Sequence, residues 1–310
     1  MSLPQTLFCG TSGWSYPHWN GIVYPRLKPR RFHPLENLSQ YFDAVEINTT
    51  FYQPIRPEIA GVWIQKVSGN PKFLFTVKLE RRFTHERLLA PAAIAQFKEG
   101  LWPLLRAHKL GCVLMQFPWT FRYTEENRQF VIALRRAFHE FPLVAEMRHA
   151  SWLREEALGT LMDYRIGFVN IDQAAYTKAM PPSAALTSGI GYVRLHGRNP
   201  EDWQREFGRA KTPAAAHDYL YSGAELLEWK PRIQQLREHA LKTFVFANND
   251  VDGKSVVNAL QLATLLGDER RLAPADLIRQ FPEELADFHS MRPMQEALFA
   301  ASASQRHAAA

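Results

Sequence analysis

The sequence predicts a single-domain (β/α)8 TIM barrel, and three observations support this fold class. Eight short, strand-like apolar runs recur along the chain, and segments with helical spacing separate them. Buried strands that alternate with helices pair in parallel. The eight units extend over residues 7–249, which is close to the roughly 250 residues typical of such a barrel.

Each predicted strand is a run of five or six residues rich in valine, isoleucine, leucine and phenylalanine. Such runs are typical of strands buried on both faces of a parallel sheet. An open, doubly wound sheet is the alternative fold, but GTSGWS after the first strand does not fit the GxGxxG turn of that fold. The runs begin at Leu7, Ala44, Phe73, Cys112, Leu143, Phe168, Tyr192 and Phe244.

Helices are predicted between the strands, where apolar residues recur at intervals of three and four positions. Pro34, Pro57 and Pro91 fit the first turn of a helix, and Ser151 fits an N-cap. The apolar series are Ile94, Phe97, Leu101 and Leu105, then Phe130, Leu134 and Phe138, then Val256, Leu260 and Ala263.

Two long loops follow the first and seventh predicted strands, over residues 13–32 and 197–223. Their aromatic content favours ordered covers at the carboxyl end of the barrel over disordered inserts. We expect the barrel domain to extend over residues 1–285 and a partly disordered tail over residues 286–310. The loop aromatics are Trp14, Tyr16, Trp19, Tyr24, Trp203, Phe207, Tyr219 and Tyr221.

The composition indicates a globular protein with a modest positive charge: 37 basic and 31 acidic residues give a formal charge of +6. This charge suits phosphate-bearing or nucleic-acid partners, and it is equally common in ordinary basic proteins. Cys9 and Cys112 lie in apolar runs, which is typical of buried thiols in a reducing compartment. We find no secretory leader pattern and no apolar window of about 18 residues, and we therefore expect a cytoplasmic protein without a membrane segment.

Polar side chains gather at the carboxyl ends of the predicted strands, where barrel enzymes place their active sites. In five strands two polar residues stand two positions apart and therefore share one face. We expect these side chains to converge at the mouth of the barrel. The pairs are Glu46 with Asn48, Thr76 with Lys78, Glu146 with Arg148, Asn170 with Asp172 and Arg194 with His196, and Gln116, Asn248 and Asn249 add amides.

The predicted site suits an enzyme that acts on a phosphorylated or polyhydroxylated substrate, and hydrolysis and isomerisation both stay open. Glu46 or Glu146 would act as general base, Arg194 and Lys78 would hold an anionic group, and His196 would transfer protons. A structural network of salt links is the alternative interpretation of the same residues. The predicted catalytic residues are Glu46, Lys78, Glu146, Asp172, Arg194 and His196, and the predicted substrate-binding residues are Trp14, Tyr16, Asn48, Arg148, Asn248 and Asn249.

Glu146, Asp172 and His196 also form an oxygen, oxygen and nitrogen set that suits a divalent cation such as Mn²⁺ or Zn²⁺. Structural and catalytic zinc sites commonly use several histidines. Because no further histidine stands at a strand end, the sequence permits such a metal without favouring it.

The loop over residues 13–32 suggests a different class of function. Arg26, Lys28, Arg30 and Arg31 alternate there with aromatic residues and without an acidic residue. Cations that contact phosphates and rings that stack on bases are typical of single-strand binding surfaces. A non-catalytic nucleic-acid-binding protein is therefore the alternative function.

Seven motifs in order along residues 8–266 resemble a known family: GTSGWSYPHWNGIVYP, FDAVEINTTFY, VKLERRFTH, QFP, VAEMRHASW, YVRLHGR and VFANN. Together they closely resemble the YecE-like family, catalogued as domain of unknown function 72. The resemblance implies a TIM-type barrel and brings no settled activity.

Barrels of that family are similar to the xylose-isomerase-like superfamily, which includes the metal-dependent endonuclease IV enzymes. On this analogy Glu146, Asp172 and His196 occupy the strands that carry metal ligands in sugar isomerases. Strand eight departs from the analogy, because it ends in Asn248 and Asn249 where an acidic ligand is expected.

Overall fold

A closed barrel of eight parallel strands forms the centre of the computed structural model, which describes residues 6–199 and 217–291. Each strand pairs with the next one in the sequence, and the last strand pairs with the first. The predicted (β/α)8 TIM barrel is therefore confirmed. The strands are β1 (Thr6–Ser12), β2 (Ala44–Ile47), β3 (Leu74–Lys78), β4 (Leu110–Gln116), β5 (Leu143–Glu146), β6 (Ile166–Asp172), β7 (Ile190–Leu195) and β8 (Lys242–Ala247).

Helices connect the strands, and three of them begin at the predicted prolines 34, 57 and 91. Ser151 is not an N-cap: it lies inside a 3-10 turn, Ala150–Leu153, where its hydroxyl is 2.8 Å from His149 Nδ1. The described helices are α1 (Pro34–Leu38), α2 (Pro57–Lys66), α3 (Arg81–Thr84), α4 (Pro91–Arg106), α5 (Glu125–Ala137), α6 (Glu155–Asp163), α7 (Gly223–His239), α8 (Lys254–Leu265) and α9 (Ala275–Gln280).

The barrel interior changes from aromatic at the amino end of the strands to polar at the carboxyl end. Phe8 stacks on Phe244 with ring centroids 5.1 Å apart. Farther along β7, the Tyr192 hydroxyl donates to Glu46 Oε2 at 2.7 Å and lies 3.0 Å from Thr76 Oγ1. The charged groups at the mouth therefore rest on a closed aromatic core.

Strand register decides which polar residues reach the interior. Tyr192 and Arg194 of β7 pair with Val169 and Ile171 of β6. Paired residues of a parallel sheet point to the same side, and successive residues alternate. Asn170 and Asp172 therefore point outward to the helix layer, and the prediction that they share the interior is wrong.

The loop after β1 packs onto the barrel as an ordered segment. Trp19 and Tyr24 are fully buried in it. The Trp19 indole donates to the Asp250 carbonyl at 2.7 Å, and the Tyr24 hydroxyl donates to the Trp14 carbonyl at 2.5 Å. The first bond ties the loop to the segment that follows β8, and the second joins two parts of the loop to each other.

The second long loop is described only at its two ends. Gly197, two residues after the end of β7, has φ +94°, and a Cβ at this position would meet Tyr219 Cβ at 2.8 Å. Trp203 and Phe207, and residues 292–310 of the predicted tail, lie outside the described residues. In the ranges that are described, no helix has both the length and the apolar character needed to cross a bilayer.

Candidate functional site

Arg194 lies at the centre of the barrel mouth, with its guanidinium between two fully buried carboxylates. Nη2 donates to Glu46 Oε1 at 2.7 Å, and Nη1 donates to Glu146 Oε2 at 2.5 Å. Gln116 Oε1 and Ser12 Oγ accept two further bonds, both 3.1 Å long. Burial lowers the pKa of Arg194, but the two carboxylates outweigh it and raise that pKa, so the guanidinium stays charged.

Glu46 is held by hydrogen bonds at both of its oxygens. Besides Arg194, Oε1 accepts from Ser12 Oγ at 2.7 Å, and Oε2 accepts from the Tyr192 hydroxyl at 2.7 Å. Burial and the Glu46 charge raise the pKa of Tyr192 well above its ordinary value, so its hydroxyl keeps its proton and remains a donor. Glu46 is therefore engaged within the protein.

His196 joins Glu146 to the end of β8. Its Nε2 lies 3.2 Å from Glu146 Oε1, and its Nδ1 lies 3.0 Å from Asn248 Nδ2. Burial lowers the pKa of His196 to about 3, with Arg148 adding to the effect, so the imidazole is neutral. Because the Asn248 amide donates to Nδ1, the imidazole hydrogen is on Nε2, the side that faces Glu146.

Glu146 remains a carboxylate in this setting. Burial raises its pKa, but Arg194, His196 and Arg148 together outweigh burial and hold the pKa well below its ordinary value. Arg148 Nε donates to Glu146 Oε1 at 3.1 Å. Like Glu46, this carboxylate is engaged by its neighbours.

A cavity of about 800 Å³ opens above this network at the carboxyl end of the strands. Glu46 and Glu146 lie beneath the cavity and do not line it. Among the described residues, the wall combines aromatic rings, amides, two cations, three histidines and one carboxylate. It includes Trp14, Tyr16, Phe51, Tyr52 and Trp63, the amides Asn48, Gln116 and Asn248, the cations Lys78 and Arg148, and His33, His85, His217 and Asp250.

Lys78 ends β3 on the wall of this cavity, with Nζ 4.1 Å from the centre of the Phe51 ring. Within the described residues its Nζ makes no hydrogen bond and no ion pair. Burial lowers the pKa of Lys78 to about 7, and the Arg194 charge adds to the effect, while Glu46 and Glu146 oppose it. An amine that is partly uncharged near neutral pH is both a base and a nucleophile.

Arg148 supplies the second cation of the wall. Its side chain is anchored by Glu146 and lies 3.5 Å, through Nη1, from Gln173 Oε1. A planar guanidinium held in this way is preorganised for an anionic group in the cavity.

Comparison with known proteins identifies the family to which this barrel belongs. A family model described as "Protein of unknown function DUF72" matches residues 8–283. The chain belongs to the DUF72 family. It is 27% identical over 286 residues to the UPF0759 protein YunF of Bacillus subtilis, covering 87% of this chain and 99% of YunF. Its match to the UPF0759 protein YecE of Escherichia coli is 25% identical and covers 58% of this chain and 64% of YecE.

Two solved structures match the chain, and the first supports the same family assignment. A DUF72 family protein from Thermotoga maritima superposes with a TM-score of 0.72 at 30% identity, over 85% of this chain and 100% of that one. A DUF72 family protein from Enterococcus faecalis superposes with a TM-score of 0.73 at 22% identity, over 85% of this chain and 96% of that one. At this identity the match shows the fold alone. The resemblance seen in the sequence motifs is thus confirmed.

Asp172 does not join the site of this DUF72 barrel. Its carboxylate accepts from the Trp229 indole of α7 at 2.7 Å, from the Tyr221 hydroxyl at 3.0 Å and from Arg198 Nη2 at 2.8 Å. All three partners lie outside the barrel wall, on α7 or on the loop before it. The prediction that Asp172 meets Glu146 and His196 is therefore wrong.

The proposed metal ligand set is consequently not assembled. Over residues 6–199 and 217–291, no three His, Cys, Asp or Glu side chains are placed to hold a metal ion. Glu146 and His196 face each other, and Asp172 is on the opposite side of the barrel wall. We derive no step through a metal.

Asn249 also turns away from the cavity. Its Nδ2 donates to the Tyr219 carbonyl at 2.7 Å and to Asn258 Oδ1 of α8 at 2.8 Å. Its neighbour Asn248 faces the cavity instead, because successive side chains at a strand end alternate. The prediction that Asn249 binds substrate is not supported by this placement.

The three remaining predicted binding residues do line the cavity. Trp14 packs edge-on against Trp63 with centroids 5.0 Å apart, and the Tyr16 hydroxyl donates to the Ser12 carbonyl at 2.5 Å. Asn48 keeps a buried Oδ1 that has no partner among the described residues. Asn48 therefore lines the cavity with a buried carbonyl oxygen that none of the described residues engages.

Sequence reasoning missed several residues of the cavity wall. Phe51 and His85 follow β2 and β3 within the motifs INTTFY and RRFTH, so their position just after strand ends was a usable indication. Trp63 comes from α2, and no spacing in the sequence links that helix to the mouth. Asp250 follows Asn249 directly, but its orientation depends on the β1 loop.

The β1 loop does not present the predicted stacking surface. Trp14, Trp19 and Tyr24 are buried against the barrel. The basic residues of the loop are exposed to solvent, but these three rings are not exposed beside them. The basic residues are Arg26, Lys28, Arg30 and Arg31. The aromatic component of the nucleic-acid hypothesis is therefore not supported.

Proposed function

We propose that this DUF72 barrel is an enzyme acting on a small phosphorylated or polyhydroxylated substrate at the carboxyl end of its strands. The supporting observation is that Lys78 and Arg148 share one cavity wall with amides and aromatic rings. A guanidinium binds phosphate oxygens through paired hydrogen bonds. A few polar groups within an apolar wall are typical of small-ligand sites.

Different residues of the cavity wall are suited to bind different groups of a substrate. Arg148 is suited to the anionic group, because it is held in place by Glu146. Gln116 and Asn248 are oriented by Arg194 and His196 and are suited to hydroxyl groups. Orientation before binding reduces the entropy that binding costs.

Proton transfer of the isomerisation type is better supported than hydrolysis. Glu46 and Glu146 are engaged by Arg194 beneath the cavity, so neither is placed to activate a water molecule. Lys78 lines the cavity, and its pKa of about 7 suits proton exchange near neutral pH. The proposal therefore gives the proton-transfer role to Lys78 and a supporting role to the two carboxylates and Arg194.

Ligand-induced shifts in melting temperature test the proposal. We expect sugar phosphates to stabilise the protein, by about 2.7 kcal/mol at a hundredfold excess over Kd. Arg148→Met should lose most of that stabilisation, whereas Arg136→Met, at an exposed position on α5, should keep it. If no phosphorylated or polyhydroxylated compound stabilises the wild-type protein, or if Arg148→Met responds like Arg136→Met, the proposal fails.

Deuterium exchange tests the reaction class. A stabilising ligand incubated with the protein in D₂O should gain deuterium at the carbon next to its carbonyl, and Lys78→Met should abolish the gain. Release of inorganic phosphate or cleavage of a phosphodiester, without exchange, would indicate hydrolysis instead.

A further inference from the structure

We propose that Lys78 acts covalently, by forming an imine between its Nζ and the carbonyl carbon of a substrate that also carries an anionic group. The inference rests on the proposed function and deepens it: the iminium withdraws electrons from the neighbouring C–H bond, so Lys78 promotes the proton exchange as the electron-accepting group and a residue of the cavity wall takes the proton. It narrows the substrate class to aldehydes and ketones that bear a phosphate or carboxylate.

Lys78 forms no ion pair with any residue that the structure describes. A lysine at a barrel mouth ordinarily pairs with a carboxylate, and Glu46 and Glu146 are both close enough to act on its charge. Both are instead bound by Arg194, at 2.7 and 2.5 Å. Arg194 therefore takes the two acids that would otherwise hold Lys78 as an ammonium ion.

The surroundings of the Lys78 amine favour its uncharged form. Nζ lies over the Phe51 ring, and Arg148 and Arg194 add positive charge around it. An apolar surface and neighbouring cations are the two conditions that activate lysine as a nucleophile. With its pKa at about 7, a large share of Lys78 is uncharged at neutral pH.

The Lys78 amine is accessible to a small ligand through the cavity. Lys78 lines a cavity of about 800 Å³, which is large enough for a sugar-phosphate-sized ligand. Arg148 lines the same cavity and is suited to the anionic end of such a ligand. Amine and guanidinium together therefore select a molecule with both a carbonyl and an anion.

The covalent step is balanced without an oxidant or a reductant. The Nζ lone pair attacks the carbonyl carbon, and the amine loses a proton while the carbonyl oxygen gains one. The resulting carbinolamine loses its oxygen as water, after that oxygen accepts a second proton, and a carbon–nitrogen double bond remains. His85 and Asp250 line the cavity and are suited to exchange these protons.

Reductive trapping tests the imine. Wild-type protein is incubated with glycolaldehyde phosphate or the longer erythrose 4-phosphate and sodium cyanoborohydride, and adducts are located by peptide mass spectrometry. We expect one adduct per chain, on Lys78, formed at least tenfold faster than on any other lysine. Unphosphorylated glycolaldehyde should react with Lys78 at least tenfold more slowly, because it does not engage Arg148.

Matched variants provide the controls. Lys78→Met should lose the fast adduct, while Lys242→Met, at an exposed position at the amino end of β8, should keep it. Labelling spread evenly over the lysines, or a fast adduct that survives in Lys78→Met, overturns the inference.

A ligand without a carbonyl separates this inference from the proposed function. 2-Hydroxyethyl phosphate can bind Arg148 but cannot form an imine. If it stabilises the protein in an Arg148-dependent way while no Lys78 adduct forms with the aldehydes, the imine is refuted and the proposed function survives. If neither stabilisation nor an adduct is seen, both proposals are refuted.

Discussion

At the scale of single residues, the Arg194 guanidinium explains how two carboxylates can be completely buried at the mouth of a barrel. Each acid makes a short bond to one of its nitrogens, and Ser12, Tyr192 and Gln116 complete the network. Burying an unpaired charge costs several kcal/mol, so every member of such a network depends on the others.

Glu46→Gln should lower the free energy of unfolding by about 3 kcal/mol or more, since it leaves Arg194 with one buried counter-ion fewer. Urea denaturation at neutral pH measures the loss. Glu99→Gln, at an exposed position on α4, is the matched control and should change stability by less than about 0.5 kcal/mol. Equal stability of the two variants would show that the buried pair contributes little.

His196 makes stability depend on pH. Its folded-state pKa of about 3 lies below the ordinary value of 6.5, so the unfolded chain binds more protons between these values. The contribution of the neutral His196 to the free energy of unfolding is therefore complete above pH 6.5. It is lost as the pH falls towards 3, by at most about 1.4 kcal/mol per pH unit. The His196→Gln variant should show a shallower loss over this range, and the exposed His139→Gln variant should follow the wild type. Parallel curves for His196→Gln and the wild type would contradict the assignment of a neutral buried imidazole.

At the scale of elements, β6 shows what the sequence did not predict, namely which face of a strand points into the barrel. Strands of a parallel barrel are apolar on both faces, so their periodicity does not identify the inner face. In β2, β5 and β7 the polar residues do face inward, and Glu46, Glu146, Arg194 and His196 meet as predicted. In β6 the polar residues belong to the outer face, and a shift of one position reverses every side chain.

The partners of Asp172 explain this outer position. Arg198, Tyr221 and Trp229 lie 26, 49 and 57 positions away in the sequence, and only folding brings them together. They join β6 to α7 and to the end of β7. No local pattern around Asp172 records such partners, whereas helix starts such as Pro34 and Pro57 depend on local sequence and were predicted correctly.

Asp172→Asn should therefore lower stability without impairing the cavity. The amide loses the charge that three donors share, which we expect to cost about 1–3 kcal/mol. Thermal melts with and without a stabilising ligand measure both effects: the melting temperature should fall, and the ligand-induced shift should stay that of the wild type. If a folded Asp172→Asn protein lost the ligand-induced shift in melting temperature, Asp172 would have a role in ligand binding after all.

At the scale of the whole molecule, the two ends of the barrel differ in what their charges do. A cavity of about 660 Å³ at the amino end contains Arg270, which is paired with Asp43 and Asp268, and Cys9, whose pKa burial raises to about 12. Its charged pairs and its thiol are therefore held in unreactive forms. The carboxyl end keeps a lysine amine without a pair among the described residues.

The alternation of strands and helices was enough to predict the barrel, because eight βα units close into few architectures. It also placed most of the polar residues at the correct end. The sequence left open whether Arg194 would bind a ligand or pair with Glu46 and Glu146 in a network of salt links, and the structure shows the pairing. The reactive role therefore passes from these two acids to Lys78. That outcome depends on side-chain distances across the barrel, which spacing along one strand does not determine.

We expect the Lys78 amine to be substantially uncharged at neutral pH, and the dependence of its acylation rate on pH measures this. Trace labelling with acetic anhydride, followed by peptide mass spectrometry, gives the rate for Lys78 at each pH, because only the free amine reacts. We expect a rate profile for Lys78 with its midpoint at about pH 7. A midpoint near the ordinary lysine value of about 10.4 would contradict it.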